Sequence, residues 1–97
     1  MPIVLVVRIR TMNIRENVGL DSAWRQPVAV RIGYGMAESV RSPAEACEYL
    51  SYRWPNSEGV YLELARRKCL AAKERRASAE EARELFISAA IEADVLA

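Results

Sequence analysis

Residues Val40 to Pro55, VRSPAEACEYLSYRWP, decide how this chain is read, because a strand-like pattern stops there and a helix begins. Ser42 is a good N-cap, Pro43 suits the first helical position, and Glu45 stands three residues after the cap. Together they make a capping box, in which side chains satisfy amides that a helix start leaves without partners. At about 100° per residue Ala46, Cys47, Leu50 and Trp54 gather on one side, while Glu45, Glu48, Tyr49 and Tyr52 fall outside it. Pro55 disfavours the helical conformation for the residue before it, so the helix should end at Arg53 or Trp54. The phase of Trp54 makes its indole an anchor of the core.

Before this stretch the period is two. Val28, Val30 and Ile32 alternate with Ala29 and Arg31, which predicts a strand opened by Pro27, where a missing donor matters least. Gly33-Tyr34-Gly35 permits a tight reversal, and Met36 to Arg41 is the return strand. Thr11 to Ser22 has no clean period and reads as a loop. Ile3 to Ile9 is rich in β-branched residues and predicts a further strand, so residues 1–11 are an edge strand or an N-terminal extension. Pro2 to Val7 lacks a basic leader, runs straight into Arg8 and Arg10, and is far shorter than the roughly twenty residues of a membrane span.

Beyond the stretch, Asn56 or Ser57 can cap a second helix from Glu58 to Arg75, in which Gly59 costs about 1 kcal/mol against alanine. Its core face is Tyr61, Leu62, Ala65, Cys69 and Ala72. Ser78 with Glu81 makes a second capping box and opens a helix from Ala79 to Asp94, with Ala82, Leu85, Phe86, Ala89, Ala90 and Ala93 inward. No glycine separates these helices, yet carrying the phase across Ala77 turns the apolar stripe by roughly 100°, which one straight helix could not bury against one surface. The prediction is an α+β fold: a short, mainly antiparallel sheet of two to three strands followed by three helices packed on one face.

Ninety-seven residues allow one domain, 1–97, and a composition 52% hydrophobic and 28% charged is that of an ordinary globular chain. There is no histidine, which removes the commonest general base and metal ligand. No catalytic residue, metal site or cofactor is predicted. Glu45, Glu48, Glu80, Glu81 and Glu84 lie at helix starts and on polar faces, where carboxylates complement the helix dipole. Cys47 and Cys69 lack CxxC spacing and are expected as buried, reduced thiols, which points to the cytoplasm.

Two surface features remain. Leu70, Ile87, Ile91 and Val95 miss the main core stripes, and a helix apolar on two sides usually contacts two things, so they form a candidate interface unless the N-terminal strand or the loop before Trp24 covers them. Arg66, Arg67, Lys68, Lys73, Arg75 and Arg76 are the densest cationic run and the candidate phosphate contacts, although they spread over the solvent arc of the helical wheel rather than along one ridge. Trp24, Trp54, Tyr34 and Tyr61 read as core rather than as a ligand cleft.

The segments WRQPVAVRIG, SPAEACEYLSYRWP, YLELARRKCLAAKE and SAEEARELFISAAIEA resemble a family of small α-proteobacterial, largely rhizobial, proteins catalogued only as a domain of unknown function. The likeness runs from about Trp24 to Ala93. It implies that family's fold and a cytoplasmic location, and it carries over no catalytic residue. The functional expectation is a non-enzymatic interaction or regulatory module that engages a protein partner or a second copy of itself, as a homodimer, through the last helix, the N-terminal strand or both. A nucleic-acid-binding accessory protein using Arg66 to Arg76 is the second reading, and no membrane partner is expected.

Overall fold

Val28–Val30 (β1) and Glu38–Val40 (β2) form an antiparallel hairpin in which Val28 faces Val40, Ala29 faces Ser39 and Val30 faces Glu38. The computed structural model describes residues 23–97; the expected strand Ile3 to Ile9 and the loop Thr11 to Ser22 lie outside them. Alternation buries Val28, Val30 and Val40 beneath the sheet and turns Ala29 and Ser39 outward. Both strands are shorter than the sequence pattern suggests, because the reversal is a wide loop of residues 31–37 with only Gly33 at positive φ. A third extended segment completes the sheet from the other end of the chain. Leu96 bridges Val30 in antiparallel sense, the Arg31 amide donates to the Val95 carbonyl at 2.8 Å, and the Ala97 amide donates to the Ala29 carbonyl at 3.0 Å.

The first helix, Pro43–Glu48 (α1), starts as the sequence dictates. Ser42 is extended and its Oγ accepts from the Glu45 amide at 3.2 Å, while the Glu45 carboxylate reaches back to the amide of Arg41, one residue before the cap. The α-helix does not continue to Arg53 as expected. It widens into a π-turn over Tyr49–Arg53 and stops at Trp54, which Pro55 forces into an extended conformation.

The second helix, Val60–Lys73 (α2), is two residues shorter at each end than expected. Neither Asn56 nor Ser57 caps it. The extended Gly59 precedes it, and the carboxylate of Glu92, brought from the far end of the third helix, accepts from the amides of Tyr61 and Leu62, each at 3.1 Å. A Cβ on residue 59 would fall on that carboxylate, so the glycine makes room for a cap supplied from 30 residues away.

The third helix, Ala79–Glu92 (α3), is capped by Ser78, whose Oγ accepts from the Glu81 amide at 3.2 Å. The side chain of Glu81 does not complete the box; it leans to Lys68 of α2 at 3.3 Å. The predicted break between α2 and α3 is present without a glycine. Arg75 adopts φ 65°, and the Arg76 and Arg75 amides return to the Ala71 and Ala72 carbonyls in a Schellman pattern. α3 ends the same way, with Asp94 at φ 59° and the Asp94 and Val95 amides returning to Ile91 and Ala90. That turn folds Val95 back into the core and aims Leu96 at β1.

Phe86 is fully buried and lies between the two tryptophans, 5.7 Å from Trp24 and 5.4 Å from Trp54 by ring centroids. Leu50, Leu62, Cys69, Ala82, Ala89 and the strand valines close around them. Tyr61 departs from the expected core face and is 43% exposed. It lies about 60° round the helix from the centre of Leu62, Ala65, Cys69 and Ala72, beside the point where α3 ends. Tyr34 is exposed as well, so of the four large aromatics expected inside only the tryptophans are there. No helix among the described residues is long and apolar enough to cross a membrane.

Candidate functional site

The π-turn shapes the surface around it. Tyr49 and Arg53 are four residues apart and both reach Glu38 on β2: the Tyr49 hydroxyl donates to Oε1 at 2.6 Å, and the Arg53 guanidinium donates in a fork to Oε1 at 2.8 Å and Oε2 at 2.6 Å. Arg53 also stacks over the Tyr49 ring at 4.7 Å from its centroid. The Arg53 fork, and then the Tyr49 hydroxyl, hold the Glu38 carboxyl down to about 2. The Glu38 hydrogen bond in turn raises the Tyr49 phenol above its usual range. A carboxyl with a depressed folded pKa stabilises the fold at neutral pH, and that contribution is lost as pH falls from about 4.5 through about 2. Urea midpoints followed over this range should therefore fall with acid in the parent protein, and less steeply in Glu38→Gln. Equal acid slopes in the two proteins would show that the cluster does not link hairpin to helix.

On its other side the π-turn walls a groove of about 340 Å³ between α1 and α2, lined by Cys47, Glu48, Ser51, Tyr52, Arg66, Leu70 and Lys73. Arg66, Leu70 and Lys73 lie within about 60° of one another on α2 and make a ridge of cation, apolar group and cation. Arg66 is oriented by its own fold, with Nη2 donating to the Leu50 carbonyl at 3.3 Å and Nη1 3.8 Å from Glu63. Burial pushes the half-buried Cys47 thiol up, and burial pushes Cys69 further, to about 12, so both are protonated at neutral pH. Among the described residues, no three His, Cys, Asp or Glu side chains cluster so as to hold a metal ion.

The expected interface residues do not form one patch. Leu70 is 45% exposed at the groove and Ile91 is 61% exposed, whereas Ile87 packs partly on the core and Val95 is only 6% exposed. Val95 does not continue the line of Ile87 and Ile91, because the helix stops at Glu92 and the Asp94 turn redirects the chain. Because Glu92 meets Tyr61 and Leu62, Ile91 sits beside the start of α2, and Leu70 is about 13 Å further along that helix. The basic run is dispersed too. Lys68 pairs with Glu81 and Arg76 with Glu74, Arg66 and Lys73 line the groove, Arg67 is exposed, and Arg75 closes α2. The groove itself was not visible in the sequence, since the π-turn that forms one wall has no compositional signature.

These features define a small α+β domain, a short antiparallel hairpin followed by three helices, with an open groove between the first two. The chain belongs to the family described as protein of unknown function (DUF982), whose profile matches residues 26–97. It is similar to the Agrobacterium tumefaciens protein Atu1219, known from an NMR structure, with 27% identity, a TM-score of 0.70, and coverage of 89% of this chain and 86% of that one. Comparison with curated proteins gives no match.

Proposed function

We propose that the protein is a non-enzymatic interaction module that associates with a second copy of itself through the groove between α1 and α2. The observation that carries this reading is a match of spacing and charge within the chain. On α3, Glu84, Ile87 and Ile91 fall within about 60° of one another, giving an outer ridge of acid, apolar and apolar groups. Taken antiparallel, the intervals of three and four residues between them equal those between Lys73, Leu70 and Arg66 in the groove. Glu84 then meets Lys73, Ile87 meets Leu70, and Ile91 lies along the aliphatic stem of Arg66 beside Tyr52. This is an amphipathic helix laid in a groove, with Tyr and Arg supplying side chains of the kind that dominate many interfaces. Two copies that exchange ridges reciprocally close as a two-fold dimer.

Sedimentation equilibrium across a concentration series tests this. The mass should rise from 10.9 kDa toward twice that value. Lys73→Glu and Glu84→Lys should each weaken association by roughly tenfold, and the combined swap should restore it, because like charges oppose docking and re-paired charges do not. A constant monomer mass, or a swap that fails to rescue, overturns the reading.

A further inference from the structure

The outward face of the sheet has a composition unlike the rest of the surface. Ala29 and Ser39 form its centre, directly opposite one another, and the same alternation puts Arg31, two residues after Ala29, and Arg41, two residues after Ser39, on this side at opposite ends. Small side chains therefore make a flat platform with a guanidinium at each end. Continuing the register, Arg31 and Arg41 are four residues apart along the strand axis, about 13 Å. The Trp24 amide donates to the Arg41 carbonyl at 2.8 Å, which brings the exposed Arg25 to the Arg41 end. None of these three guanidinium groups has an ion-pair partner among the described residues. Among the described side chains, Glu45 accepts from a backbone amide and Glu38 is forked by Arg53.

The loop that follows Arg31 presents Tyr34 with its ring fully in solvent, between Gly33 and Gly35. A fully solvated aromatic ring gains nothing from this fold and is available to stack. The core, with α3 against β1, lies beneath the opposite, valine-lined face, while Ser39, Arg31 and Arg41 on the outward side are exposed.

We infer that this face is a binding site for single-stranded nucleic acid, with Arg31, Arg41 and Arg25 on successive phosphates and Tyr34 stacking a base at the loop end. Cations spaced along a track and an aromatic ring at its edge are the two ingredients of strand binding without sequence preference. The small residues between the cations allow the sugar-phosphate chain to approach the sheet. This site is separate from the α1–α2 groove and from the α2 basic run, and it would give the module a ligand besides its own second copy. An anionic membrane is the less favoured occupant, because Tyr34 and Met36 are the only large exposed apolar groups in the loop that would enter it.

Fluorescence anisotropy of the full chain with labelled oligo(U) and oligo(dT) of about 10 nucleotides tests the inference. Arg31→Ala with Arg41→Ala should weaken binding at low salt roughly tenfold and reduce the slope of log affinity against log salt by about 1.4, the loss of two single-strand phosphate contacts. Tyr34→Ala should weaken binding by about fivefold or more. Arg67→Ala with Lys68→Ala on α2 serves as the charge-matched control and should leave affinity unchanged. All of these side chains are on the surface, and unchanged circular dichroism confirms that each variant is folded. No binding at low salt, an equal loss in the α2 control, or capture by phosphatidylserine vesicles in preference to either oligonucleotide overturns it.

Discussion

Phe86→Ala should destabilise the protein by about 3–5 kcal/mol, a large part of the 5–15 kcal/mol available to a domain of this kind. The ring is fully buried, and it is the surface on which both tryptophans rest. Removing it withdraws its own apolar area from the core and leaves a cavity between two rigid indoles that cannot collapse inward without moving the segment before β1 and the end of the π-turn. Chemical denaturation followed by tryptophan fluorescence reads this directly, since both reporters flank the lost ring. A loss under about 1.5 kcal/mol would mean that the indoles close over the gap and that the core is plastic.

Trp24→Ala should cost a similar amount, about 3–5 kcal/mol, and here the phenylalanine variants separate packing from hydrogen bonding. The Trp24 indole is 5% exposed and its Nε1 donates to the Ala79 carbonyl at 2.8 Å, tying the segment before β1 to the first turn of α3. Trp24→Phe keeps most of the packing and removes that hydrogen bond from a carbonyl that still accepts within α3, a cost of about 0.5–1.5 kcal/mol. Trp54 offers the converse. Its Nε1 is buried with no hydrogen-bond partner among the described residues, so Trp54→Phe removes a group whose burial is already unfavourable and should change stability by less than about 1 kcal/mol. Equal losses in the two phenylalanine variants would show that the Trp24 hydrogen bond contributes nothing.

What could be read from the sequence was what local chemistry encodes. Ser42 and Ser78 sit where the caps are, Pro55 stops the first helix at Trp54, and the shift of apolar phase near Ala77 marks a real break. Other features were not legible, some because they depend on partners distant in the chain. Gly59 looked like a weak helical residue because Glu92, which needs the space, lies on another helix. The stops at Arg75 and Asp94 carry no glycine and are recognisable only from their backbone angles. The π-turn carries Tyr49 and Arg53, whose shared partner Glu38 is a strand residue. The basic residues drew attention to α2, where they are crowded in sequence, while the arginines on the sheet face are brought onto one platform by register alone.

The bridge between Val30 and Leu96 also bears on how the chain folds. It joins positions 66 residues apart, across α2, α3 and the Asp94 turn. The hairpin and the three helices rely mostly on near neighbours and can assemble quickly, whereas this closure must draw in a long loop whose ordering precedes any reward. The bridge therefore fastens the C-terminal segment to β1, and it is the kind of distant pairing that slows folding.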